Sequence, residues 1–441
     1  MIKLRQTKKI EYSAIDSFLP HEVAVLLKQD DFTECSLMVE PGAIVQEGQV
    51  IAQATNSEEN IPAIKLHSPV PGIVESVEPV QLPDGTETDA VKIKFKGKFS
   101  FRGKEKKSFD WQFKLPSEIL KTIAEAGIVN TFSINKTESL AKQISSLKPE
   151  ASKILVVRLF DEDPYRCTDF FISENYFEKI QQGAAILCRA ICAEGIIFTY
   201  DKKYGIPENG GDVSEIFKEL PVKYVPADCS KYPAGFPYVM LDNIHKQLPK
   251  DDFFEKVNIH DLFVDSLTLI HLYEAVVEQI PVINQYVYVY GDCMKVSAVF
   301  RLPIGTAINF IIDECGGFLK QPSNIVINGQ LTGWKINENT YPVTKNIKSI
   351  GFLSYKPFPN ITPKECVHCG KCRQVCPVGL APDILYNQIL VKNKDIDSCF
   401  LQASTLCSNC TLCNSVCSSR LPLSQVIELI REYHDGKFTE K

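Results

Sequence analysis

Two runs of cysteine near the end of the chain restrict its architecture more than any other feature. "CVHCGKCRQVCP" (366–377) places Cys366, Cys369, Cys372 and Cys376 at spacings of x2, x2 and x3, with Pro377 directly after the last. "CSNCTLCNSVC" repeats that spacing with Cys407, Cys410, Cys413 and Cys417. Sixteen cysteines occur in 441 residues, and these runs hold eight of them. A disulfide framework belongs to small exported domains, whereas "MIKLRQTKKIEY" at the start has no apolar signal-peptide core behind it. Clustered metal thiolates are the better reading. Zinc is the alternative, since it also uses C-x2-C pairs, but zinc ribbons set two such pairs apart by a longer stretch.

The doubled C-x2-C-x2-C-x3-C spacing is the bacterial ferredoxin pattern for two [4Fe–4S] clusters. Thiolates three residues apart let one loop follow a cubane corner by corner, with backbone N–H groups turned toward the sulfurs. In that pattern the fourth thiolate crosses to the other cluster. Cys366, Cys369, Cys372 and Cys417 then form one set, and Cys376, Cys407, Cys410 and Cys413 the other. The second run ends Cys417-Ser418 without proline, and the spacer "APDILYNQILVKNKD" shows helical apolar spacing at Ile384, Leu385, Ile389 and Leu390. A mostly helical dicluster domain over 358–435 is expected. His368, inside the first loop, either tunes a cluster sulfur through a hydrogen bond or is solvated; a lone histidine favours the second. Cys188 and Cys192 stand four apart on a predicted helix, where core packing is preferred to a ligand pair.

A chain this long needs two to four cores. Its net charge of −6 gives no reason to expect a nucleic-acid partner. The longest apolar candidate, "AAILCRAICAEGIIF" (184–198), is too short for a membrane span and contains Arg189 and Glu194. At the front, "VEPGAIVQEGQVIAQA" (39–54) and "IKLHSPVPGIVESVEPV" (64–80) are short β runs broken by glycine turns. They resemble the halves of a biotinyl/lipoyl-type barrel-sandwich hybrid over 1–98. The acylated lysine of a lipoyl carrier would fall at Ile61, and Lys65 sits in a strand instead of a hairpin tip, so a docking module is expected. Alternating helix and strand patterns then indicate a Rossmann-like α/β domain over 115–262, followed by a β-grasp (SLBB-like) unit over 283–335. The fold class is therefore multidomain α/β with added all-β and helical parts.

This order resembles the RnfC family, the C subunits of the Rnf electron transport complexes. The resemblance covers nearly the whole chain, through "HSPVPGIV" (67–74), "DPYRCTDF" (163–170), "IHLYEAVVEQIPV" (270–282), "RLPIGT" (301–306), "CGGF" (315–318) and the paired cysteine sets. It implies an electron-transfer subunit of an ion-translocating ferredoxin:NAD oxidoreductase, peripheral on the cytoplasmic face of a bacterial inner membrane. The implied partners are the other members of the complex and a soluble donor or acceptor (ferredoxin, flavodoxin or NADH). The middle of the family also looks like the flavin-bearing subunit of respiratory complex I, where a glycine-rich loop cradles FMN and the site accepts NADH. Here that loop reads "VNTFSINKTESL" (129–140), and no glycine lies between Gly127 and Gly183. The "YPQGG"-like segment has become "YPAGFPYV" (232–239), and of the glycines expected near 328–330 only Gly329 remains. These losses argue against FMN and NADH binding in the family manner. Asp163, Tyr165 and Asp169 are the candidates for a remnant pocket, with a turn at Pro164-Tyr165 as the plainer reading.

Two other functions stay open. A self-contained NADH-oxidising flavin reductase of the cobalamin-reductase type needs the missing loop, and flavin content separates it from the first. A structural adaptor braced by its clusters would lack redox activity.

Overall fold

A computed structural model describes residues 2–3, 14–28, 30, 33–55, 62–101, 104, 109–134, 137–148, 150–354, 362–390 and 396–434. In the front unit, strands Glu22–Leu26, Glu87–Phe95, Gly72–Gln81 and Ile44–Val45 form one antiparallel sheet. Strands Cys35–Leu37, Val50–Ala54 and Lys65–His67 form the facing one. Alternate apolar residues point between the sheets, so Val23, Val25, Val45, Ile51, Leu66, Val74, Val91 and Ile93 make the core. Gly48, at φ +76, turns the chain between two of these strands. Lys65 is held in its strand and pairs with Glu125 at 2.7 Å. Ile61 lies outside the described residues.

The next unit is a four-stranded parallel sheet in the order Val222–Ala227, Gly195–Asp201, Ile154–Arg158, Phe263–Asp265. Both faces are covered, which is why Ile154–Arg158 is buried at every position. Leu155 and Val157 face the helices Thr168–Ala190 and Ser266–Val276, while Ile154 and Val156 face Met240, Leu241 and Ile244 of helix Pro237–Gln247. The loops after three of these strands gather at the carboxyl edge of the sheet, where open α/β sheets keep their ligand crevices.

A second mixed sheet runs Ile15–Asp16, Ala298–Pro303, Asn284–Tyr290, Ser349–Leu353, Asn324–Ile327, Trp334–Ile336, with helix Ile308–Glu314 packed on it. It reaches beyond the expected bounds of 283–335, taking strands from both earlier and later in the chain. The remainder is helical, with Lys371–Val375, Pro382–Leu390, Ser398–Thr405, Leu412–Val416 and Leu423–His434 around small apolar cores. Among the described residues no helix is long and apolar enough to cross a membrane.

Candidate metal centre

The helical domain is built twice. Cys407, Cys410, Cys413 and Cys417 each stand 41 positions after Cys366, Cys369, Cys372 and Cys376. Helices Lys371–Val375 and Leu412–Val416 are related by the same step, as are the starts of Pro382–Leu390 and Leu423–His434. Left-handed residues recur in register: His368 with Asn409, Gly370 with Thr411, and Gly379 with Arg420. Such turns curl the backbone so that its N–H groups aim at sulfur. The His368 N–H donates to Cys366 Sγ (3.4 Å), that of Leu380 to Cys376 Sγ (3.3 Å) and that of Leu421 to Cys417 Sγ (3.4 Å). The N–H of Lys371 serves Cys369, that of Leu412 serves Cys410 and that of Asn409 serves Cys407.

The sulfurs gather across the repeat. Cys366, Cys369, Cys372 and Cys417 line one hollow, floored by Leu421 and Leu423. Cys376 lies near enough to Cys407, Cys410 and Cys413 for its charge to act on all three. Among the described residues no three His, Cys, Asp or Glu side chains close on one point as a single ion requires. The chemistry of the donor set fits a cubane, which spreads four thiolates around its corners under N–H donors. Burial pushes the Cys410 thiol up to about 12 and raises Cys407, Cys413 and Cys372, while the Lys371 N–H holds Cys369 below its usual value. A cluster held there would have to drive protons off buried thiols. The His368 ring is exposed, with Nδ1 3.9 Å from Cys366 Sγ. Cys188 is buried in the α/β core, whereas Cys192 follows the helix end with φ +51 and is exposed, so the two form no ligand pair.

The cleft at the sheet edge has a different character. Phe160, Asp161, Glu162, Asp163, Arg166 and Asp201 are among its lining. Its cation is consumed by the protein: Arg166 Nε donates to the Asn328 carbonyl (2.7 Å), Nη1 to Glu162 (2.6 Å) and Nη2 to Thr332 Oγ1 (2.8 Å). Asp163 accepts the backbone N–H groups of Tyr165, Leu331 and Thr332. That clasp explains Gly329, at φ +95, where a Cβ would come within 2.4 Å of Asp163 Cγ. Of the three remnant candidates only Asp163 lines the cleft. Tyr165 stacks on Tyr290 with ring centroids 6.4 Å apart, and Asp169 is buried against Lys348 at 2.6 Å. Burial and the charge of Asp265 raise Asp169. Against its own burial, Asp265 is held low by Lys348 and Arg158.

The segment replacing the glycine-rich loop is filled by its own side chains. The Thr131 N–H goes to Thr268 Oγ1 (3.0 Å) and that of Phe132 to Asn130 Oδ1 (3.0 Å). Arg158 stacks 4.1 Å over the Phe132 ring and donates to its carbonyl. Gly127 is needed for packing: a Cβ there would lie 2.4 Å from the Lys65 carbonyl oxygen. A flavin phosphate needs free N–H groups, and those of Thr131 and Phe132 are spent on the protein's own side chains, which fits FMN or NADH poorly. Phe236, where the family pattern has glycine, packs with Tyr232 on Cys410 and Leu412. Sequence reasoning missed this contact, and only the loss of that glycine hinted at it.

A barrel sandwich, a parallel α/β domain covered on both faces and a terminal doubled cysteine set define a multidomain chain. The RnfC barrel sandwich hybrid domain matches residues 2–98. The C subunit of the ion-translocating oxidoreductase complex of Buchnera aphidicola subsp. Acyrthosiphon pisum is 26% identical over 413 residues, covering 90% of this chain and 81% of that protein. The C subunit of the Na(+)-translocating ferredoxin:NAD(+) oxidoreductase complex of Acetobacterium woodii is 24% identical over 365 residues, covering 79% and 76%. An NAD+-reducing [NiFe]-hydrogenase in the H2-reduced state shares 13% identity at a TM-score of 0.45, over 74% of this chain and 63% of the hydrogenase chain. That likeness is too distant to carry an argument. Residues 2–98 thus carry the RnfC barrel sandwich hybrid domain, and over most of its length the chain is similar to C subunits of ion-translocating oxidoreductase complexes.

Proposed function

We propose that this chain is the electron-transferring RnfC member of an Rnf-type membrane complex that couples electron transfer to ion translocation, and that it holds two [4Fe–4S] clusters. Bound there, the clusters supply one-electron carriers. The observation that carries the reading is the hollow lined by three cysteines of the first run and the last of the second. This chain's residues bury the sulfurs and donate N–H groups to them, which are the protein's means of setting a potential. The finer architecture belongs to the same proposal: a β-grasp unit of SLBB type around the second mixed sheet, and a dicluster ferredoxin domain at 358–435. Membrane attachment at the cytoplasmic face of a bacterial inner membrane comes through the other subunits. The cleft's arginine, spent on the protein, favours a protein donor or acceptor, such as a ferredoxin or flavodoxin, over NADH.

The test is iron stoichiometry after anaerobic purification. The intact chain should hold about eight irons, and Cys372→Ala about four. The double variant Cys372→Ala/Cys417→Ala should keep about four, whereas Cys372→Ala/Cys376→Ala should lose nearly all. The reverse result for the two doubles would sink the crosswise assignment, and full iron in every variant would sink the ligand set.

A further inference from the structure

The two cysteine loops are copies of one another with unequal cover. In the second, Cys410 and Leu412 are buried under Tyr232 and Phe236. The Tyr232 hydroxyl donates to the Cys410 carbonyl (2.7 Å), and the Thr411 hydroxyl donates to the Leu331 carbonyl (3.0 Å). The equivalent positions of the first loop are Cys369, Gly370 and Lys371, and both Cys369 and Lys371 are exposed. Val367 beside them is 66% exposed. The residues differ as the cover does, with leucine at 412 where the chain seals its own loop and lysine at 371 where it does not.

The rim of that open face is basic. The Lys364 N–H donates to the Ser419 carbonyl and Cys369 Sγ lies 4.0 Å from Ser418, so 418–420 border the same loop. Lys364, Lys371 and Arg420 are exposed around it, against the exposed carboxylate of Glu365. Arg373 is neutralised by Asp383, with both bonds at 2.7 Å. This runs against the chain's overall charge of −6. A permanent interface between subunits would be more apolar, and Val367 alone does not supply that. Transient redox partners instead meet over small areas, guided by charge.

We propose that this face docks a small acidic electron-carrier protein, whose carboxylates meet Lys364, Lys371 and Arg420 around Cys369. The proposal rests on the cluster reading above and names the partner of the first loop. The test measures binding of a fluorescently labelled acidic bacterial ferredoxin to the full, anaerobically prepared chain by anisotropy, at low and high salt. Binding should weaken with salt, and Lys364→Glu/Lys371→Glu should weaken it on the order of tenfold or more at low salt. Lys250→Glu, on an exposed turn, makes the same kind of charge change elsewhere and should have no such effect. Absent binding, salt-insensitive binding, or equal loss in the Lys250 variant overturns the docking face. Iron assayed on the same samples separates the two ideas: a wild-type chain without iron overturns the cluster reading and the docking face with it, whereas full iron with unaltered binding in the double variant overturns the docking face alone.

Discussion

The cysteine domain and the α/β cleft meet at Tyr232 and Phe236, yet they treat a ligand in opposite ways. In the first, left-handed turns aim N–H groups at sulfurs that surround a hollow. In the second, the arginine that could greet a phosphate is spent on Asn328, Glu162 and Thr332, and beside it Asp163 accepts from the backbone of 331–332. Donors that converge on space can hold a group, whereas donors that converge on each other hold the fold. The cleft is therefore a fastening between the α/β domain and the second mixed sheet.

The largest expected effect tests that fastening. Arg166→Ala leaves Asp163 buried without its cation and Glu162 with Arg158 alone (3.2 Å), and should cost about 3–5 kcal/mol in urea unfolding. Arg373→Ala, in the cysteine domain, breaks a pair whose arginine is 49% exposed and should cost at most about 1 kcal/mol. Comparable losses from the two would erase the contrast.

Acid should act on the units ahead of the cysteine domain. Burial, with Lys345 adding to it, pushes His67 and His271 from 6.5 to about 3. Between those values the unfolded chain binds protons that the folded chain refuses. Stability is thus whole above pH 6.5 and falls as pH drops, by up to about 1.4 kcal/mol per pH unit for each histidine. Asp161 and Asp163, raised by burial, act with the opposite sign, so the readout is the difference between wild type and His271→Gln. The variant should show the shallower loss of urea midpoint on acidification, and parallel curves would contradict the assignment.

The smallest effect lies at the contact itself. Tyr232→Phe leaves the Cys410 carbonyl without its donor and should cost about 1 kcal/mol. Hydrogen exchange should then quicken in 407–417 and stay unchanged in 366–376; quickening in both would mean that the two loops share one cover.

What the amino-acid order revealed follows from the range of each interaction. The grouping of the sulfurs was legible because cysteines three residues apart encode their geometry locally. The parallel strands Ile154–Arg158 and Gly195–Asp201 were legible because strands covered on both faces read as unbroken apolar runs. The clasp of Arg166 on Thr332 joins positions 166 apart, and Lys348 meets Asp169 across 179, so no local pattern announces either. Asp169 looked like a pocket residue because a carboxylate beside "DPYRC" carries no mark of a distant lysine. The sheet that recruits Ile15–Asp16 and Ser349–Leu353 was hidden for the same reason.

The central claim is that this chain relays electrons through its cysteine domain without taking them from NADH. The direct measurement follows cluster absorption of the anaerobic protein, with flavin assayed alongside, as NADH and then dithionite are added. The account predicts no flavin, no bleaching by NADH and full bleaching by dithionite. Bound FMN with rapid bleaching by NADH would contradict it.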